Sequence, residues 1–73
     1  MTTQAEREFM YYKHGTAGSF RTGLYDLFFR ADSGNQIKLE SLWPDLSVVR
    51  RYVSEPGYWE DLQIRFKAET SNS

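Results

Sequence analysis

A chain of 73 residues has room for one domain, and a domain that small buries only about 60% of its unfolded surface, so each large side chain weighs heavily in its stability. The absence of cysteine excludes disulfides and thiolate metal sites and fits an intracellular setting. Nine basic and ten acidic residues leave a net charge of −1, with no long-range field toward nucleic acid or an anionic membrane.

No apolar run approaches the roughly 20 residues of a membrane span, and the opening MTTQAEREF lacks the charged-then-apolar layout of a signal peptide. These features predict a soluble cytoplasmic protein. What the chain has in abundance is aromatic surface: five Phe, five Tyr and two Trp, each able to bury about 150 to 250 Å².

In chain order, Met1 to Thr3 are expected to fray and Gln4 to Lys13 to form a first helix. That helix carries Ala5, Phe9 and Tyr12 on one face and Glu6, Arg7 and Glu8 mostly off it. Met10 and Tyr11 point elsewhere. The connector His14 to Ser19 holds two glycines, with Gly15 suited to the left-handed C′ position and Ser19 to the N-cap of the next helix.

From Ser19 to Asp32, the residues Phe20, Leu24, Leu27, Phe28 and Ala31 recur at helical spacing, and Tyr25 and Phe29 widen the apolar arc to roughly 200°. A helix so apolar is expected to be covered from two sides and to organise the rest of the chain. Asp26 and Arg30 are spaced for an i,i+4 pair. Gly23 costs about 1 kcal/mol relative to Ala in a helix interior, which suggests a neighbouring backbone or ring against it.

Ser33 and Gln36 have the form of a capping box opening a third helix that runs to about Trp43, with Leu39, Leu42 and Trp43 on one face. Pro44 suits the first turn of a fourth helix, striped by Leu46, Val49 and Val53, flanked by Val48 and Tyr52, with Arg50 and Arg51 opposite. The β-branched run Ser47 to Val53 also reads as a strand, but no second strand offers to pair with it. After Glu55, Pro56 and Gly57, a last helix carries Tyr58, Trp59, Leu62 and Phe66 on one face, Glu60 and Asp61 in its first turn and an Asp61 to Arg65 i,i+4 pair. The expected fold is all-α, a compact bundle of about five short helices. A single domain spans residues 4–69, with flexible termini at 1–3 and 70–73.

Motifs that carry chemistry are weak. The connector GTAG, with Lys13, His14 and Arg21 around it, has the parts of an anion contact, but neither a P-loop nor a sheet-backed G-x-x-G clamp is present. His14 is the only histidine, which leaves a His-based metal site or catalytic triad without a second imidazole. In the run Asp32 to Gln36 glycine arrives too early for a calcium loop. Adjacent Glu60 and Asp61 point about 100° apart on a helix and are explained by the helix dipole. The chain therefore reads as a non-enzyme with no cofactor and no metal.

The positive signal is a surplus of aromatic and apolar residues outside the main stripes. Tyr11, Tyr25, Phe29, Tyr52 and Trp59, together with Arg50, Arg51, Glu60 and Asp61, form the expected partner interface. Met10, Val48 and Ile64 add to the surplus.

At HGTAGSF, the run LYDLFFRADSGNQIKLESLWPDL and the closing GYWEDL, the chain resembles small helical accessory proteins encoded by phages and prophages. The shared pattern appears as Asn35, Lys38 and Leu39, then Trp43 and Pro44, then Gly57 to Glu60. The resemblance implies an accessory protein of the host cytoplasm that binds and inhibits a host or defence protein, such as a CRISPR effector.

The expected function is thus protein binding, with self-association, a dimer first, alongside an outside partner. One alternative is a nucleic-acid binder built on a helix-turn-helix-like third and fourth helix, with Lys13, Arg21, Arg50 and Arg51 converging on one face. Another is a structural or assembly component that forms a closed homo-oligomer.

Overall fold

The computed structural model describes residues 1–71, and in chain order these form α1 (Gln4–Lys13), α2 (Ser19–Arg30), α3 (Ser33–Leu42), a 3₁₀ turn (Pro44–Leu46), α4 (Ser47–Ser54) and α5 (Tyr58–Ser71). No strand occurs among the described residues, and the ambiguous segment Ser47 to Val53 is helical. Thr70 and Ser71, expected in a flexible tail, continue α5, while Asn72 and Ser73 lie outside the described residues.

The helix ends follow local chemistry. Thr3 caps α1 in a reciprocal box: its hydroxyl accepts from the Glu6 amide at 3.1 Å and the Glu6 carboxylate accepts from the Thr3 amide at 2.9 Å. At the other end Gly15 takes φ of 76°, and the bonds Thr16 N–H to Tyr11 C=O and Gly15 N–H to Tyr12 C=O complete a Schellman closure. Two expected caps shift by one residue. Gly18 rather than Ser19 precedes α2, with no side-chain cap, and Asp32 rather than Ser33 caps α3, accepting from the Asn35 amide at 2.9 Å. The carboxylate of Asp32 serves the Asn35 amide, and the Gln36 amide that the Ser33 hydroxyl was expected to serve donates to the Asp32 carbonyl at 2.8 Å. Gln36, freed from a capping box, donates instead to the Phe28 carbonyl at 3.0 Å and ties the first turn of α3 to the end of α2.

The helix at the centre is α1, not α2. It packs against α2, the 3₁₀ turn, α4 and α5, and presents Phe9 and Met10 to a core completed by Leu24, Tyr25, Phe28, Leu46, Val48, Val49, Tyr58 and Leu62. Phe9 is wholly buried and meets Tyr25, Tyr52 and Trp59 edge-on at centroid distances of 5.7, 5.1 and 5.9 Å, the favoured geometry for ring quadrupoles.

The chain extends 39 × 28 × 16 Å. With helices about 9 Å apart, 16 Å accommodates two layers and no third. Consequently α2 lies at the edge, between α1 and α3, with part of its apolar arc left open. Leu24, Tyr25 and Phe28 face inward, while Phe20 and Leu27, expected in the core, are exposed. Val53 likewise lies outside and Val48 inside, because the face of α4 turned to the core is centred on Val48, Val49 and Tyr52, and Val53 falls at its edge.

One buried polar group completes the arrangement. Glu6, expected on the solvent side of α1, is buried, and its carboxylate takes two bonds from Arg65 at 3.0 Å each and one from the Tyr58 hydroxyl at 2.6 Å. Hydrogen bonding to Arg65 outweighs the opposing effect of burial and holds the carboxyl down to about 2, while burial and the Glu6 charge push the Tyr58 phenol up to about 12. Arg65 also holds Asp61 at 2.7 Å and the Met1 carbonyl at 2.9 Å.

The first residues are tied down in the same place. Thr2 is buried and donates its amide to Glu69 at 3.0 Å, and its hydroxyl bonds the same carboxylate. The expected fraying of Met1 to Thr3 is replaced by docking on α5, because Glu69 and Arg65 supply the partners.

Two outcomes test this core. Phe9→Ala should cost about 3 to 5 kcal/mol in urea unfolding and Phe20→Ala no more than about 0.5, whereas equal costs would contradict the central place of α1. For Glu6 the folded value lies below the unfolded one, so its contribution, on the order of 3 kcal/mol, is present above about pH 4.5 and lost as pH falls toward about 2. For Tyr58 the folded value lies above the unfolded one, so its contribution is lost as pH rises from about 10 to about 12. Thermal melting should show a plateau that falls at both ends, and an acid limb unaltered between pH 5 and pH 3 would contradict the clamp.

Candidate functional site

The residues expected at a partner interface do not form one face. Tyr25 is fully buried between helices, where no partner can reach it. Its hydroxyl lacks a hydrogen bond and lies in the field of the Arg21 guanidinium, and burial pushes the phenol above its usual range. Met10 and Val48 also belong to the core. Tyr11 is exposed and leans on Phe66 of α5 at 6.2 Å, a ring it shares with His14 at 5.9 Å.

Phe29, Tyr52 and Trp59 do come together, with Tyr52 at 6.3 Å from Phe29 and 5.2 Å from Trp59. Lys13 covers the Tyr52 and Trp59 rings of this group, while Phe29 stays exposed. Its ammonium lies 5.0 Å from the Tyr52 ring and 5.6 Å from the Trp59 ring, and donates to the Tyr52 hydroxyl at 3.2 Å. The Tyr52 and Trp59 part of the patch is therefore capped by the chain itself.

The remaining charged candidates are engaged locally. Arg21 reaches Asp45 at 3.2 Å, Arg50 reaches Glu40 at 2.8 Å, and Arg51 holds Glu55 at 3.2 Å while lying 4.3 Å above the Tyr58 ring. Asp61 is held by Arg65, and Glu60 is exposed in the first turn of α5. Lys13, His14 and Arg21 diverge to Tyr52, Phe66 and Asp45 and do not enclose an anion. Asp26 forms no ion pair with Arg30 and accepts instead from the Tyr12 hydroxyl at 2.6 Å, which pushes that phenol up to about 12.

The open surface is on α2 and α3. These helices run antiparallel, with Phe20 near the start of α2 meeting Trp43 just after α3 at 6.1 Å. Gly23 and Leu27 of α2 face Leu39 and Leu42 of α3, and together with Phe20 and Trp43 they make a continuous apolar groove. Phe20 is 65% exposed and Leu42 69% exposed, values that no core residue approaches. At the far end Arg30 and Lys38 flank the groove, and neither has a carboxylate within ion-pair distance among the described residues.

α3 itself buries no residue. Ile37 is 71% exposed and lies about 200° around the helix from Leu39, so the apolar positions of α3 face in several directions while its neighbours cover one. Sequence periodicity assigned Phe20, Leu27, Leu42 and Trp43 to the interior. The signals that could have marked them as surface are Gly23 amid an apolar helix and Lys38 without an acidic neighbour three or four residues away.

Among the described residues no group of three His, Cys, Asp or Glu side chains is placed to hold a metal ion, and no helix is long and apolar enough to cross a membrane. Comparison with protein-family models, with curated proteins and with solved structures returned no match. None of these comparisons links the chain to phage proteins.

Nothing stands within 4 Å of a Cβ built on Gly23, contrary to the expected ring or backbone against it. Gly23→Ala should therefore stabilise the fold by about 0.5 to 1 kcal/mol, raising Tm by a few degrees. A lowered Tm would show that the groove wall is already filled.

Proposed function

We propose that the chain is a non-enzymatic protein-binding module whose contact face is the α2–α3 groove. The observation that carries this reading is the continuity of Phe20, Leu27, Leu42 and Trp43 on one exposed face, next to a helix with no buried residue of its own. A contiguous apolar strip with cations at its edge has the composition of an interface, and isolated exposed residues such as Val53 and Ile64 do not. Following the resemblance to phage accessory proteins, the partner in the cell is a host or defence protein that the module occupies and inhibits.

The nucleic-acid alternative draws little from the geometry. It needs Lys13, Arg21, Arg50 and Arg51 free on one face, and three of these are held by carboxylates while the fourth lies over aromatic rings. Self-association through the same groove is the second reading, favoured by the exposure of Leu42 and Phe20.

Leu42 and Ile64 are equally exposed, at 69% and 68%, but only Leu42 lies in the groove. A photo-cross-linking amino acid at position 42 should give covalent protein adducts in producing cells, and the same group at position 64 should give few or none. Equal labelling from both positions, or none from position 42, would contradict the assignment of this face.

A further inference from the structure

We infer that the groove takes an amphipathic helix of about three turns, bearing apolar residues along one face and carboxylates at the end that lies beside Arg30 and Lys38. This rests on the reading of the α2–α3 face as the binding surface.

Three features select that occupant. The first is length and shape: Phe20 and Arg30, ten positions apart on α2, span about 15 Å, the rise of roughly three helical turns, and two antiparallel helices leave a trough parallel to their axes. The second is the floor. Gly23 lies about one turn along this trough from Phe20 with open space above it, so a side chain of the incoming helix can descend where any larger residue would stand.

The third is charge. The groove runs from an uncharged end at Phe20 and Trp43 to an end where Arg30 and Lys38 stand on opposite walls with no acid between them. Arg21, Arg50, Arg51 and Arg65 are each matched by a carboxylate of the same chain, and of the basic side chains without an ion pair among the described residues Arg30 and Lys38 are the two that line this groove. Arg30 and Lys38 would repel a basic helix and orient an acidic one, giving register and direction more than affinity.

A second copy of the chain fits the charge less well. Each copy brings the same two cations and no carboxylate to the groove, so a two-fold pairing would leave all four cations without acidic partners.

The test is selection from a display library of amphipathic helices three to four turns long, against the intact chain, against Leu42→Glu, and against the double variant Arg30→Glu/Lys38→Glu. Circular dichroism confirms that each variant is folded. The proposal predicts binders enriched in Asp or Glu at one end only, lost on Leu42→Glu and weakened about tenfold by the double variant, which should select basic ends instead. Binders lost on Leu42→Glu but without acidic bias would overturn the acidic occupant while leaving the groove as a binding face. Binders indifferent to Leu42→Glu, or no enrichment at all, would overturn the helical occupant, with cross-linking from position 42 then deciding the broader reading. A dimer in sedimentation that Leu42→Glu dissociates would show that a second copy is the occupant and would equally overturn the proposal.

Discussion

The buried ion pair between Glu6 and Arg65 fixes how α1 lies on α5, and the rest of the packing follows from that placement. A carboxylate taken out of water must be matched almost completely, and Glu6 is: the guanidinium grips it with two bonds, the Tyr58 hydroxyl adds a third and the Thr3 amide a fourth. A slip of α1 along α5 would take the Glu6 carboxylate from its Arg65 and Tyr58 partners, at a cost of about 3 to 5 kcal/mol, while Arg65 would keep only Asp61. The pair therefore selects one register from the several that apolar contact alone would tolerate. Phe9, one turn on from Glu6, is carried by that register into the middle of the aromatic cluster.

Once α1 occupies the centre, the outer face of α2 cannot be covered. Two layers of helices enclose one core, and no element among the described residues lies over Phe20 and Leu27. α3 is the consequence. It is anchored at its start by the Gln36 bond to Phe28 and at its end by the Pro44 turn, yet buries nothing between. The groove is thus a direct product of the packing that stabilises the other half of the molecule, and Gly23 in its floor gives up helix stability to keep it open.

Helix positions were legible because they depend on local signals that the residues state openly. Gly15, Pro44 and the Pro56–Gly57 break divide the chain, and α1 spans the residues that its periodicity indicates. What periodicity could not give was which apolar arc faces in. On α2 the stripe placed Phe20 in the core and left Tyr25 to the surface, and the position of α1, tied to α5 by a contact 59 residues apart in sequence, reverses the two. The same long-range pair hid Glu6, since a glutamate off the apolar stripe reads as solvent-facing until its partner is known. The aromatic surplus was legible as a quantity, and its location was not. Tyr52 and Trp59 gather under Lys13 with Phe29 beside Tyr52, while the larger open face consists of residues whose spacing had assigned them to the interior.

α1 with α4 and α5 makes the stable body, and α3, with no buried residue, is held to it mainly at its two ends. Residue-level amide hydrogen exchange on the isolated chain tests this most directly. The account predicts that α1, α4 and the first turns of α5 exchange only through global unfolding, and that α3 exchanges faster, through local opening from α2. Protection of α3 equal to that of α1 would contradict it.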